Sequence, residues 1–372
     1  MRLLVYRSLL LVSVFVISSS ATLIETVVRW QSFTKSINKE FSIAEDGLTT
    51  LSNKYGKINI ETWDKDKVKI EVEIIVRASS ESKAEEAFDR ISIDFNNTAT
   101  MVSAETQIAS NSKSWGSKNY DFEINYNVVL PDNNELDIDN KYGDVAISDM
   151  DGKVDLNLKY GNFLIEAVGE ESVIYLGYGN GRLGKSSSLD VELAYSKLDV
   201  KNTGTFEIES KYSQVKVEEA ESIISFSKYD TYRLGTIQSL KNQGKYDNFE
   251  IDYLRDLTIL SKYTEIEVNQ VADKLDLDLQ HGGARVALGS DFESVDLVGS
   301  YANFQIIVND ETPFKLDALG TYAGIRYPDN MNVVYDMEKG SRHEVQAYLG
   351  AEDDKRVLKA RLSYGGLKVL TD

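Results

Sequence analysis

The feature that most constrains this chain is a short corner motif that returns at a nearly fixed interval. It is cleanest at Asn140-Lys141-Tyr142-Gly143-Asp144-Val145-Ala146-Ile147. The same tyrosine stands at Tyr160, Tyr178, Tyr195, Tyr212, Tyr229, Tyr246, Tyr263, Tyr301, Tyr322 and Tyr364, with His281 in one slot and an early copy at Tyr55. From Tyr142 to Tyr322, counting His281, the intervals are 18, 18, 17, 17, 17, 17, 17, 18, 20 and 21 residues. Self-similarity at so regular a period is the mark of a repeat architecture, in which each unit completes the core of its neighbour.

Within a repeat, the offsets −6, −4, −2, 0, +3 and +5 from the tyrosine are mainly apolar or small. One copy reads Val154, Leu156, Leu158, Tyr160, Phe163 and Ile165; another reads Leu189, Val191, Leu193, Tyr195, Leu198 and Val200. Alternation with period 2 predicts a half-buried strand, and the change of parity after the tyrosine predicts a corner. Gly143, Gly161, Gly179 and Gly365 follow the tyrosine and suit a backbone that needs positive φ there. A long strand, a corner, a short strand and a return turn make one coil of a parallel β-solenoid. Coils about 4.8 Å apart would set each tyrosine over the last, and ten intervals predict a rod of roughly 48 Å. The tyrosine shares parity with the buried leucines and valines, so its ring is expected inside. A propeller would need blades of about 40–50 residues. An outer-membrane barrel would need strands of about 9–11 residues. Neither matches this pattern.

The chain divides into three segments. Residues 1–21 read as a secretory signal: Arg2 and Arg7 precede the apolar run from Leu9 to Ile17, and Ser19-Ser20-Ala21 offers a small-residue cleavage site. Residues 22–131 read as a β-rich region capping the repeats. The stretch up to about Asn38 reads as a leader or short helix. Strand patterns lie at Glu40–Ile43, Lys57–Trp63, Lys67–Val76, Ile91–Phe95, Thr100–Ile108 and Tyr120–Leu130. Ser79–Phe88 is a helix, with Ser80 at its N-cap and Ala84, Ala87 and Phe88 on one face. Ala109–Lys118 is an exposed loop, and Pro131-Asp132-Asn133-Asn134 is turn chemistry that marks a boundary. Residues 132–372 form the repeat domain. Its last coils are irregular, and Asp329–Gly350 is expected to fold as a hairpin or loop that shields the end.

Composition narrows the function. Net charge is −19, and removing Arg2 and Arg7 leaves 39 basic against 60 acidic side chains, or −21. Nucleic acid and anionic lipid both need a basic face, so neither is an expected partner. There is no cysteine, hence no disulfide and no thiolate metal site. After signal cleavage no apolar run is long enough to span a membrane as a helix. Lysine precedes the tyrosine repeatedly, and Lys211, Lys228, Lys245 and Lys262 would stack as a row. That row could grip an anionic polysaccharide, or simply cover the aromatic column with its stems; Asp230, Asp247 and Glu265 are near enough in sequence to neutralise it. Acids cluster on outward offsets at Asp137, Asp139, Asp155, Asp190, Glu192, Glu207, Glu209, Asp276 and Asp278. Paired carboxylates can hydrolyse glycosides or bind calcium, but alternating acids on an exposed strand also serve solubility alone. Asp149-Met150-Asp151-Gly152 lacks the closing acids of a calcium loop and reads as a turn. Gly179–Gly184 matches GxGxxG only by accident, since it lies inside a β repeat. His281 and His343 are far apart, and no catalytic, cofactor-binding or metal-binding residue is assigned. Ile224, Phe226 and Leu260 fall on outward offsets, which reads as a slip of register there.

The early Asn53-Lys54-Tyr55-Gly56-Lys57-Ile58-Asn59-Ile60-Glu61-Thr62-Trp63-Asp64 and the later Lys-Tyr-Gly-Asp-Val series resemble the bacterial "putative adhesin" domains of unknown function. That resemblance implies an exported β-solenoid of the Gram-negative envelope, supplies no catalytic residue, and implies an envelope protein or polysaccharide as partner. The resulting expectation is a non-enzymatic exported scaffold without cofactor, in the periplasm, on the outer surface or secreted. Its rivals are a carbohydrate-active enzyme or calcium-dependent polysaccharide binder using the outward carboxylates, and an envelope-stress partner of an anti-sigma factor.

Overall fold

A computed structural model describes residues 30–109, 120–169, 171–351 and 355–372. The segment 1–21 that reads as a secretory signal and nearly all of the Ala109–Lys118 segment therefore lie outside the described residues. The chain is all-β apart from one short helix. In order it forms β1 (Gln31–Ser42), β2 (Leu48–Lys54), β3 (Ile58–Trp63), β4 (Lys67–Ala78), α1 (Glu81–Phe88), β5 (Ile91–Asn97), β6 (Met101–Ile108) and β7 (Tyr120–Pro131). Then come β8 (Glu135–Lys141), β9 (Val145–Asp149), β10 (Val154–Lys159), β11 (Phe163–Val168), β12 (Ser172–Gly177) and β13 (Asn180–Ala194). The longer strands follow: β14 (Lys197–Lys211), β15 (Gln214–Lys228), β16 (Thr231–Lys245), β17 (Asn248–Leu288) and β18 (Ser294–Val308). The chain closes with β19 (Phe314–Arg326), β20 (Asn332–Lys339), β21 (Arg342–Leu349) and β22 (Val357–Thr371). These join in one open sheet system, parallel through the middle and antiparallel at both ends.

The parallel registers follow the repeat. Leu136 faces Val154, and along the middle strands Leu189 faces Phe206, which faces Ile223, which faces Leu240. Residues at one offset therefore form a row from rung to rung. In β14 the buried positions are Leu198, Val200, Thr203, Phe206, Ile208 and Ser210. The double exposed positions at Lys201-Asn202 interrupt the alternation where the rung bends. A pattern of this kind buries one side of every rung against its neighbours, and the resulting core is continuous from Ile43 to Val369.

The corner differs from the sequence expectation in two ways. The residue with positive φ is the tyrosine itself, from +52° at Tyr195 to +65° at Tyr55, and His281 shares the conformation at +59°. Gly365 does have positive φ, at +158°, but Gly143, Gly161 and Gly179 do not; a Cβ on Gly161 would instead lie 2.1 Å from the Gly143 carbonyl oxygen of the rung beneath. These glycines serve close approach of backbones rather than a left-handed turn. Because the left-handed tyrosine interrupts the extended strand, its side chain no longer follows strand parity. The rings are turned outward, 41% exposed at Tyr142 and 63% at Tyr322, and not into the core as expected. The corner backbone stays paired all the same: the N–H of Tyr195 donates to the Lys211 carbonyl, and that of Tyr212 to Lys228, both at 3.0 Å.

At the N-terminal end, β2 and β3 lie directly on β8 and β9, so the Tyr55 corner is a rung of the same stack. β6 and β7 add parallel to β2 and β3, and β4, β1 and β5 then complete that end in antiparallel pairing. Gln31–Ser42 is a strand, not a leader or helix; its residues match β4 one for one. Ser80 has the extended N-cap conformation but makes no side-chain cap, while Ala84 and Ala87 are buried as the helical face predicts. At the other end the spatial order departs from the chain order. β22 lies between β18 and β19, parallel to both. β21 pairs antiparallel on the free edge of β19, and β20 on β21, giving the terminal hairpin expected within Asp329–Gly350. The hairpin occupies one edge of β19, which leaves its other edge and that of β18 to be bridged by β22. The extra rung adds length that the ten-interval count omitted.

Candidate functional site: the exposed side-chain rows

A register of identical offsets turns every outward position into a ladder. The aromatic ladder runs unbroken from Tyr55 through Tyr142 to His281, then Tyr301, Tyr364 and Tyr322 in that spatial order. Centroids are 4.6 Å apart at Tyr229–Tyr246 and 5.2 Å at Tyr55–Tyr142, with planes within 14° of parallel. Such spacing is that of the rungs themselves. A sugar stacks on a free aromatic face, yet each ring inside the column has a neighbour on both faces. What the column offers outward is a line of ring edges and phenolic hydroxyls.

Beside it, Lys211, Lys228, Lys245 and Lys262 face one another in register and are exposed. Lys228 places its ammonium 5.4 Å from the Tyr229 ring centroid, and Lys141 does the same at 5.0 Å over Tyr142. Asp230 and Asp247 do not neutralise this row. They point into the corner, where the rungs hydrogen-bond one another through side chains: Gly179 N–H donates to Ser196 Oγ, Ser196 N–H to Ser213 Oγ, Ser213 N–H to Asp230 Oδ1, and Asp230 N–H to Asp247 Oδ1. Ser210 and Ser227 hydroxyls donate to the second oxygens of Asp230 and Asp247 at 2.8 and 2.9 Å. Burial pushes both carboxyls up, Asp247 to about 6, with the Asp230 charge on the next rung adding to the shift. Sequence reasoning missed this polar column. Its signal was the replacement of corner glycine by Ser196, Ser213, Asp230, Asp247 and Thr264 at one offset.

On the long-strand face the outward acids stand in register, Asp137 with Asp155, Asp190 with Glu207, Glu192 with Glu209 and Asp276 with Asp296. Partial burial first, then neighbouring carboxylates, raises Asp137 and Asp276 above the usual range. Among the described residues no group of three or more metal-ligating side chains is arranged around a common point. Asp151 and Gly152 lie in a bend and donate backbone N–H groups to the Asp132 carbonyl of the neighbouring rung, which ties the two return segments together. Ile224, Phe226 and Leu260 are exposed, Phe226 by 54%, and the register does not slip there: Glu209, Phe226, Gln243 and Leu260 follow one another rung by rung. The two histidines remain separate, His281 in the aromatic stack and His343 hydrogen-bonded at 3.0 Å to Asp336 in the terminal hairpin.

No family model matches the chain. No curated protein matches it either. Among solved structures it is similar to a "putative cell adhesion protein" from Clostridium sporogenes, at 11% identity over 91% of this chain and 100% of that one, with a TM-score of 0.20. It is also similar to "putative adhesins" from Bacteroides fragilis (10% identity, 90% of this chain and 97% of that one, TM-score 0.25) and Parabacteroides merdae (8%, 90% and 96%, 0.30). Likeness of this degree assigns no residue a role.

Proposed function

We propose that the protein is a non-enzymatic, exported β-solenoid scaffold, with coils of 17 to 21 residues, that presents ordered side-chain rows for contact with a cell surface or envelope component. The segment 22–131 closes one end of the stack, and residues 1–21 direct export. One observation carries this reading: the outward side chains form long in-register ladders, with the Tyr55–Tyr322 aromatic column as the clearest, rather than converging on one point. Ladders suit an extended partner, whereas catalysis needs convergent groups.

Fractionating cells that express the full chain tests export, with a processed protein outside the cytoplasm as the expected result. Purified protein should bind isolated envelope material and leave polyanionic glycans uncut, with or without calcium. Retention in the cytoplasm would remove the export claim. Release of new reducing or unsaturated ends would make it an enzyme of the outward carboxylates.

A further inference from the structure

Two glycines near the hairpin end are not required by a left-handed backbone or by a collision with the next rung. A Cβ on Gly324 would meet nothing within 4 Å, and one on Gly366 would be 3.3 Å from the Gly324 carbonyl oxygen, so that the neighbouring strand would have to give by a few tenths of an ångström. Neither has positive φ. Both lie in strands, where glycine has no side chain to pack and is disfavoured relative to alanine. They contrast with Gly161 and Gly365, whose Cβ atoms would collide with the neighbouring rung's carbonyl at 2.1 and 2.0 Å. With Gly283 and Asn303 they form one row in register, Gly283–Asn303–Gly366–Gly324, which floors a groove of about 700 Å³.

Two residues further along each rung, on the same face, runs a second row: Arg285, Gln305, Lys368 and Arg326. Arg285, Lys368 and Arg326 are exposed, and among the described residues none of them has an ion pair or a side-chain hydrogen bond. Other cations on this face are matched, as Arg233 is with Glu250 and Lys197 with Asp199, whereas these three stand on consecutive or near-consecutive rungs without a partner among the described residues. Lys368 and Arg326 even face each other directly, an arrangement that is destabilising for like charges on adjacent strands. Beyond Arg285 the groove continues along Glu265, Glu267 and Glu250, whose carboxylates confine an anion to the end that holds Arg285, Lys368 and Arg326.

We propose that this groove binds a short acidic oligosaccharide of the uronate type, lying along the stack across the four rungs. This rests on the scaffold reading and names a ligand for it. Three cations spread over four rungs span about 14 Å at the usual strand spacing, the length of a chain of three or four sugar residues with carboxylates at intervals. Asn303 and Gln305 stand between the cations with carboxamides that both donate to and accept from hydroxyls. Glycine in the floor lets a ring approach the strand backbone. Three cations on so acidic a molecule are too few to hold nucleic acid.

Calorimetric titration of the full chain with tetragalacturonate tests the proposal, its fully methyl-esterified form being the uncharged control. The acid form should bind, more weakly as salt rises, and the ester should bind at least tenfold more weakly. K368Q/R326Q, and separately Gly324→Leu, should each lower affinity at least tenfold with the urea midpoint no lower than the parent's. Arg182→Gln, in the equivalent row but remote from the groove, should bind as the parent does. No binding of the acid form, equal binding of the ester, or equal weakening by Arg182→Gln would overturn the proposal. Loss of oligouronate binding alone, with envelope binding intact, would leave the scaffold reading standing; absence of both would remove both.

Discussion

A left-handed tyrosine is an expensive residue, costing roughly 1–2 kcal/mol in backbone strain, and this chain places one at every corner. Offset stacking returns about 0.5–1.5 kcal/mol for each ring pair beyond area burial, so the column offsets the strain only because it is continuous. Tyr212, with φ +52° and rings at 4.9 and 4.8 Å on its two sides, makes a test. Tyr212→Ala loses both contacts and keeps the strain. Tyr212→Gly loses the contacts but relieves the strain, so its urea midpoint should lie above that of the alanine variant by the equivalent of about 1 kcal/mol. Within a regular strand the order would be reversed. Asp247 gives a second test. Its folded pKa of about 6 lies above that of an unfolded aspartate. The folded chain therefore holds a proton between about pH 4 and 6 that the unfolded chain has released, and stability falls as pH rises through that window. Asp247→Asn should flatten the slope of denaturation midpoint against pH between 4 and 6; an unchanged slope would assign the pH dependence elsewhere.

At the level of the rung, two designs of corner share one stack. Where glycine follows the tyrosine, as at Gly161, the neighbouring backbones nearly touch and Leu158 fills the space inside. Where aspartate follows it, as at Asp230, a serine replaces the leucine on the rung below and the space holds hydrogen bonds instead. The two positions are complementary in size and polarity, so they must change together. Gly161→Ala should cost on the order of 3 kcal/mol, because the Cβ meets backbone and not a movable side chain. Gly324→Ala, with open space above it, should stay within about 0.5 kcal/mol of the parent. Paired urea denaturation would check both; equal effects would mean that the rungs can separate to admit a methyl group.

Over the whole molecule, the threading of β22 between β18 and β19 is what departs from simple stacking. Its inward residues Leu358, Ala360, Leu362, Leu367 and Val369 complete the core on both sides. Repeat proteins behave as nearly one-dimensional chains of neighbour contacts, so the consequence of removing a rung is local. A chain ending at Gly350 should lose amide-exchange protection in β18 and β19 and remain protected in β13 through β16. Uniform loss of protection would show that the stack is cooperative over its full length.

Sequence alone determined the period, the parallel rows and the alternation that buries Leu198, Val200, Phe206 and Ile208, because these depend on spacing and hydrophobicity repeated from unit to unit. Only the tertiary structure decided where the rings, the aspartates and the last strand go. Parity counting assumes an extended backbone, and one left-handed residue per rung turns Tyr212 outward while the neighbouring corner offset turns Asp230 inward. The position of β22 depends on which strand edges remain unpaired once the hairpin has taken one side of β19. The groove of Gly324, Gly366, Lys368 and Arg326 exists only because of that placement, since it brings residues 324 and 366 onto adjacent rungs that the order of the chain keeps apart.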